Sequence, residues 1–214
     1  ALPSLLQTRI WCVIPCRSGS KGLPHKNILR IGSSGKTVTD LAVETALYLS
    51  SPDRIVVTTD YHQHDIPPLA RRFYSRRPPE LAGDDVPMVE VLRLEAYRRA
   101  WGEDDTIVLL QPSSVHPQRT QIAYKSLTEG YGMTVVRYPD RWHPDYEITK
   151  KALPASRQGL REAYRPDGLV YIIRDMERLS FRDPFSDPVL PVEGTIMIDT
   201  PEDFREVERA FGRV

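Results

Sequence analysis

The sequence predicts an α/β fold in which helices cover both faces of one mostly parallel sheet. Short apolar runs alternate with helical patterns along the 214 residues, and this β-α-β-α order is typical of parallel sheets. The 19 prolines cluster at turns between these segments, which argues against a helical bundle. The length indicates a single domain over residues 1–214.

Each predicted element follows from a local pattern. The apolar run at 10–14 is closed by a proline and predicts a fully buried strand. Further apolar runs predict strands at 55–59, 106–110, 133–137, 169–173 and 195–198. Apolar residues at helical spacing predict a helix that is capped by Thr39 or Asp40 and ends at residue 49, and helices at 68–74, 89–101, 120–129 and 201–211.

Polar side chains follow four of the predicted strands where each strand ends. They are the residues 17–22, Asp60, the residues 111–114 and Asp199. Ligands of parallel sheets bind at the carboxyl ends of the strands, so we expect these residues to lie at one edge. The polar stretch at 141–167 lies between two strands, and loops of that length are usually functional or make contacts outside the core.

The composition excludes several functional classes. Lys+Arg and Asp+Glu are both 29, and this neutral balance argues against a protein that coats nucleic acid. The sequence has no apolar run of roughly 20 residues, which a membrane span needs, and shows no pattern of a signal peptide. Two cysteines do not make a disulfide framework, and we expect a cytoplasmic protein.

The strongest chemical signal is the segment that follows the first strand, IPCRSGSKGLPHKN at 14–27. Its glycines and serines let backbone N–H groups approach an anion closely. Arg17, Lys21 and Lys26 add three cations, and a bound triphosphate needs both features. The alternative is a solvated surface loop, but the position directly after a buried strand favours phosphate binding.

This segment resembles the N-terminal signature of the acylneuraminate cytidylyltransferase family, I-P-A-R-x-G-S-K-G-x-P-x-K-N-I, from which Cys16 departs. Similar blocks follow in the family's order: VVTTD at 56–60, RPPELAGD at 77–84, LLQPSS at 109–114, HP at 143–144, RQ at 157–158, YRPDG at 164–168 and IDTPED at 198–203. The resemblance extends over about residues 10 to 211.

The resemblance implies a Rossmann-like, three-layer domain of the nucleotidyltransferase type. Members of the family transfer CMP from CTP to the anomeric hydroxyl of a nonulosonic acid, release pyrophosphate and require Mg²⁺. The segment at about 139–168 resembles the family's protruding dimerisation segment, which implies a homodimer. The expected partners are therefore CTP, an acidic small-molecule acceptor and a second copy of the chain, with no nucleic acid and no membrane.

The resemblance also assigns residues to the site. Arg17, Lys21 and Lys26 would act on the triphosphate, and Asp199 would be both a catalytic residue and the metal ligand. Nucleotide binding would further involve Cys16, Ser18, Gly19, Ser20, Asn27, Arg77 and Asp84. Acceptor binding would involve Gln111, Ser113, His116, Arg157, Gln158 and Asp167.

Three departures from the family's pattern leave alternatives open. Met197 replaces the first aspartate of the closing motif, so Asp199 either suffices with phosphates and water or is helped by another carboxylate such as Asp60 or Glu193. Asp167 replaces an asparagine, and Val-His-Pro at 115–117 replaces a segment with an arginine. The acceptor would then be another acid, such as a 3-deoxy sugar acid or a phosphonate, or the chain would bind nucleotides without catalysis.

Overall fold

A computed structural model describes residues 9–138, 163–174 and 188–212. The strands are β1 (Arg9–Pro15), β2 (Ile55–Thr59), β3 (Tyr74–Arg76), β4 (Asp105–Leu109), β5 (Ser114–Val115), β6 (Met133–Tyr138), β7 (Ala163–Ile173), β8 (Val189–Pro191) and β9 (Ile196–Met197). The helices are α1 (Val38–Leu49), α2 (Pro68–Arg71), α3 (Met88–Arg99), α4 (Arg119–Glu129) and α5 (Pro201–Phe211).

The main sheet has seven strands in the order β3-β2-β1-β4-β7-β6-β8. Only β7 runs against its neighbours β4 and β6, while the other paired strands are parallel. The predicted mostly parallel α/β sheet is therefore confirmed. The late strand β9 lies outside this sheet, because it pairs antiparallel with β5 in a separate two-stranded sheet.

Alternating residues of β1 show how the sheet is covered on both faces. Cys12 and Ile14 pack in one cluster with apolar residues of α1 and α4, such as Ala42 and Ala123. Val13, which points to the opposite face, packs in a second cluster with Leu92 of α3. Since successive side chains of a strand alternate between faces, a run that is apolar throughout needs helices on both sides.

The first helix begins earlier than the sequence pattern predicts. Thr37 is its cap: the Thr37 hydroxyl accepts from the Asp40 N–H at 3.2 Å, and Asp40 Oδ2 accepts from the Thr37 N–H at 2.8 Å. The two residues form a complete capping box, in which Thr37 is the cap and Asp40 is the third residue of the helix. Thr39 is no cap either, because its hydroxyl donates to the carbonyl of Asn27 at 2.6 Å.

Strand β7 begins at Ala163 and not at residue 169 as predicted, so residues 163–168, expected in the protruding segment, belong to a strand that pairs with β6 in the main sheet. The remaining differences are short elements. The helix predicted at 68–74 ends at Arg71, and Tyr74 instead begins strand β3. Strands β3 and β8, of three residues each, and the two-residue β5 were not predicted. The last helix begins at Pro201 as expected, behind a capping box of Thr200 and Asp203. No helix in the described ranges is long and apolar enough to cross a membrane.

Candidate active site

The loop after β1 is anchored at both of its ends. The Ser18 N–H donates to Asp60 Oδ1 at 2.7 Å, and the Ser18 hydroxyl donates to the other Asp60 oxygen, so the loop is tied to the end of β2. Asn27, which is buried, donates from Nδ2 to the carbonyl of Arg17 at 3.0 Å. Ser18 and Asn27 therefore shape the loop, while Gly19 at its tip is exposed and Ser20 is half-buried.

Two of the three loop cations share one carboxylate. Arg17 Nη1 lies 2.5 Å from Asp84 Oδ1, and Lys21 Nζ lies 3.0 Å from Asp84 Oδ2. Hydrogen bonds from Lys21 and Arg17 hold the pKa of Asp84 below its ordinary value, so the carboxylate is ionised at neutral pH. The Asp84 carboxylate thus lies between the two cations, in a position that also suits a phosphate group.

The third cation, Lys26, joins the loop to the residues that follow β9. Lys26 Nζ donates to Asp199 Oδ1 at 3.1 Å and also to the carbonyl of Ile198. The loop packs directly on this backbone, because a Cβ added to Gly22 would collide with the carbonyl oxygen of Asp199. The expected convergence of the loop and Asp199 at one edge is present, although β9 is not part of the main sheet.

Asp199 is the carboxylate best placed for a metal ion. Its side chain is 82% exposed, while its N–H is held by Asp203 Oδ2 at 2.9 Å. Asp60 is engaged by Ser18, and the described residues contain no group of three or more His, Cys, Asp or Glu that could hold a metal. Mg²⁺ is commonly bound by one or two carboxylates together with substrate phosphates and water, so one exposed carboxylate beside a phosphate-binding loop fits it.

Two residues expected to bind nucleotide have buried side chains. Arg77 is 1% exposed, and its Nη2 donates to the carbonyl of Thr58 at 3.0 Å. Burial lowers the pKa of Arg77, and the negative charge of Asp60 acts in the opposite direction. Cys16 lies in the core beside Thr39, and burial raises the pKa of its thiol to about 11. We expected both residues at the nucleotide, but their side chains instead pack inside the fold.

Several residues expected on the acceptor side surround a cavity of about 180 Å³. Its lining includes Gln111, Ser113, Asp167, Gly168, Met197 and Asp199. The cavity therefore adjoins the exposed carboxylate of Asp199 that Lys26 contacts. Arg157, Gln158 and most of the expected dimerisation segment lie outside the described residues.

The side chains of Asp167 and His116 are engaged in hydrogen bonds within the protein. The Asp167 side chain is 1% exposed and accepts hydrogen bonds from Thr134 and Thr195. His116 Nδ1 accepts from the Gln118 N–H at 3.0 Å, which leaves the ring proton on Nε2 to donate to the carbonyl of Glu193 at 3.0 Å. Both ring nitrogens therefore have hydrogen-bond partners within the protein, and a contact of His116 with an anion stays a prediction.

Three residues have structural roles that the sequence did not predict. Asp60 was expected as a polar strand end and as an alternative metal ligand, and the structure shows that it anchors Ser18. Gly22 was expected among the glycines that let backbone N–H groups approach an anion, and the structure shows that its missing side chain also permits the contact with Asp199. Arg119 is 3% exposed and donates to the carbonyl of Gln111 at 2.9 Å. An arginine at a helix start is usually exposed, so the sequence carried no signal of this role.

A second cavity, of about 400 Å³, lies apart from the loop cations. It is lined by the turn at 31–36, by α1, by the start of α4 and by Phe211. None of Arg17, Lys21 and Lys26 lines it, so we do not include it in the site.

The cytidylyltransferase family model matches residues 11–123, more than half of the chain. The chain belongs to the cytidylyltransferase family. The match begins in β1 and ends in α4, so it includes the loop cations, Asp84 and Gln111. It ends before Asp167 and Asp199, so family membership is established on the nucleotide side of the site.

Curated relatives of this cytidylyltransferase carry related names. An N-acylneuraminate cytidylyltransferase of Escherichia coli is 33% identical over 122 residues, which cover 55% of this chain and 27% of the relative. A CMP-N,N'-diacetyllegionaminic acid synthase of Legionella pneumophila is 27% identical over 225 residues and covers 94% of this chain and 95% of the relative. The chain spans 27% to 52% of the length of the N-acylneuraminate cytidylyltransferases that it matches.

Solved structures agree with this cytidylyltransferase fold. The structure of a CMP:2-keto-3-deoxy-manno-octonic acid synthetase complexed with CTP aligns with a TM-score of 0.58 at 15% identity and covers 96% of this chain and 99% of that chain. An inositol-1-phosphate CTP transferase from T. maritima aligns with a TM-score of 0.57 at 14% identity, over 97% of both chains. At these identities the likeness concerns the fold.

Proposed function

We propose that this cytidylyltransferase transfers CMP from CTP to the anomeric hydroxyl of a nonulosonic acid and releases pyrophosphate. The observation that carries the proposal is the loop in which Arg17 and Lys21 share Asp84 while Lys26 contacts Asp199 beside a cavity. Relatives named for N-acylneuraminate and for a legionaminic acid support this choice of acceptor.

The reaction needs positioning and charge rather than a covalent intermediate. The acceptor hydroxyl oxygen forms a bond to the α-phosphorus of CTP, the bond from that phosphorus to the bridging oxygen breaks, and the hydroxyl proton leaves to solvent or a base. Arg17 and Lys21 leave Asp84 and offset the charge of the departing pyrophosphate. Lys26, which contacts Asp199 in the lining of the cavity, orients the α-phosphate toward the acceptor.

The proposal includes magnesium, a homodimer and a cytoplasmic location. Mg²⁺ would be held by Asp199, phosphate oxygens and water, and when bound it would neutralise phosphate charge. The side chain of Asp199 is exposed enough to exchange Lys26 for such an ion. The dimer rests on the resemblance at 139–168, and sedimentation of the purified chain tests it.

The experiment is pyrophosphate release from CTP with Mg²⁺ across nonulosonic acids, 3-deoxy sugar acids and phosphonates, with ATP, GTP and UTP as controls. Release with CTP and a nonulosonic acid alone is expected. Release only with another acid would mean that this acid, and not a nonulosonic acid, is the acceptor. CTP binding without any release would favour a non-catalytic nucleotide-binding protein.

A matched pair of variants tests the role of the loop charge. Lys21→Ala removes a cation that contacts Asp84, whereas Lys36→Ala removes an exposed lysine that pairs with Glu44 on α1. We expect Lys21→Ala to lower kcat by about 100-fold while CTP still binds, and Lys36→Ala to leave kcat unchanged. Equal kcat values in the two variants would contradict the role of Lys21.

A further inference from the structure

The acceptor cavity is walled by three segments that are far apart in the chain. They are residues 111–114 after β4, residues 166–168 of β7, and residues 197–199 at the end of β9. A cavity of about 180 Å³ keeps its shape only if these segments stay at fixed distances. The contacts that hold them together therefore bear on acceptor binding.

Arg119 joins the first wall to the second. It is the first residue of α4, its side chain is buried, and Nη2 donates both to the carbonyl of Gln111 at 2.9 Å and to the carbonyl of Leu169 at 3.0 Å. Its Nε and Nη1 atoms have no hydrogen-bond partner. Two carbonyls are little compensation for a buried guanidinium, so its charge needs a further source of stabilisation.

Asp167 joins the second wall to the third. One carboxylate oxygen accepts from the Thr134 hydroxyl at 2.5 Å and from the Leu169 N–H at 3.0 Å. The other oxygen accepts from the hydroxyl of Thr195, just before β9, at 2.8 Å. The Ser114 hydroxyl also donates to the Asp167 carbonyl at 2.6 Å. Asp167 therefore contacts the first wall through its backbone carbonyl, and through its carboxylate it contacts Thr195, which lies just before the third wall.

Arg119 and Asp167 both bind the backbone of Leu169, Arg119 at its carbonyl and Asp167 at its N–H. Burial lowers the pKa of Arg119 to about 9, and the negative charge of Asp167 opposes this shift. Arg119 is therefore charged at neutral pH. Removal of either charge alone would leave the other uncompensated in the interior, which costs far more than removal of both.

The walls meet most tightly at Gly168. Its φ is +74°, and an added Cβ would lie 2.6 Å from Ser114 Oγ and 2.7 Å from Gln111 Oε1. The side chain of Gln111 is thus in place only while the turn at Gly168 keeps its position. That turn follows Asp167 directly and precedes the carbonyl that Arg119 binds.

We propose that Arg119 and Asp167 are a coupled pair of positioning residues, which hold Gln111 and the Gly168 turn in place for the acceptor. The inference rests on the proposed function, because it takes this cavity to be the acceptor site. It assigns to Asp167 a role through its buried contacts, in place of the expected contact with the sugar acid.

The test compares Asp167→Asn with Asp105→Asn. Asp105 is equally buried and accepts hydrogen bonds from Trp11, Arg9 and the Gly102 N–H, but it lies at the start of β4, away from the cavity. Asp167→Asn should raise the KM for the acceptor about tenfold and change the KM for CTP less than about twofold. Asp105→Asn should lower the unfolding temperature without altering the ratio of the two KM values.

Arg119 variants complete the cycle. Arg119→Gln should raise the acceptor KM as Asp167→Asn does, and the double variant should raise it by less than the product of the two single factors. Should Arg119→Gln fail to fold, Arg119→Lys keeps the charge and should retain an acceptor KM near that of the wild type. Equal changes in both KM values, or independent effects in the double variant, would overturn the proposal.

The two hypotheses fail in different ways. If the wild type releases no pyrophosphate with any of the acceptors, the proposed function fails. The pair is then tested by hydrogen exchange at the amides of 111–114 and 167–170. Faster exchange confined to these segments in Asp167→Asn supports the pair, and the same exchange pattern in Asp105→Asn overturns it.

Discussion

Replacement of Gly22 by alanine tests whether the loop must lie against Asp199 for catalysis. A Cβ at this position would approach the Asp199 carbonyl oxygen well within 3.0 Å, a distance below which Cβ contacts essentially never fall. The oxygen belongs to backbone, which cannot rotate away as a flexible side chain can. The loop must therefore retreat by about 1 Å, and a misplacement of that size costs about 100-fold in rate.

Gly102 supplies the matched control, because it has no heavy atom within 4 Å of an added Cβ and lies before β4, outside the loop and the cavity. The assay is pyrophosphate release at saturating Mg²⁺, with CTP binding measured separately by calorimetry. Gly22→Ala should lower kcat/KM by about 100-fold and Gly102→Ala by less than about threefold. Comparable activity of the two variants would refute the argument that the packing of the loop on Asp199 positions Lys26.

Two further substitutions address the charges of the site. Asp84→Asn should tighten pyrophosphate binding several-fold in calorimetry, because Arg17 and Lys21 no longer share a carboxylate; weaker binding would mean that Asp84 positions them. The pKa of Asp84 is lowered in the folded state, so the stability that this carboxylate contributes is present above about pH 4 and is lost as the pH falls through that pKa. The free energy of unfolding of Asp84→Asn should therefore depend less steeply on pH in this range than that of the wild type. Met197→Asp, which adds a second carboxylate beside Asp199 in the lining of the cavity, should lower the Mg²⁺ concentration needed for half-maximal rate; an unchanged magnesium titration would show that Asp199 suffices.

The nucleotide side was predictable from the sequence because its signals are local. The loop cations, its glycines and its place after a buried strand all lie within one short segment. Parallel strands then bring that segment to the same edge as Asp60 and the residues after β4. On this side Cys16 and Arg77 were expected at the nucleotide, and nothing in the sequence indicated that their side chains are buried in the fold.

The acceptor side was less predictable because it depends on partners distant in the chain. A charged residue such as Asp167 or Arg119 is expected at the surface, and nothing beside it in the sequence marks its burial. Apart from Leu169, the hydrogen-bond partners of Asp167 lie 28 to 53 residues away, and those of the Arg119 side chain lie 8 and 50 residues away. Strands of two or three residues, such as β5 and β8, likewise give too little pattern to be recognised.

The two sides of the site also differ in how their residues are held, with a consequence for specificity. Arg17, Lys21 and Lys26 are paired with partly or largely exposed carboxylates, in contacts that an incoming phosphate can exchange. The acceptor cavity is fixed by buried charges and hydrogen bonds among three segments. Buried polar networks are worth more than the sum of their pairs, so single substitutions there disturb the whole wall. We therefore expect the choice of acceptor to change only through coordinated substitutions in the segments 111–114, 166–168 and 197–199.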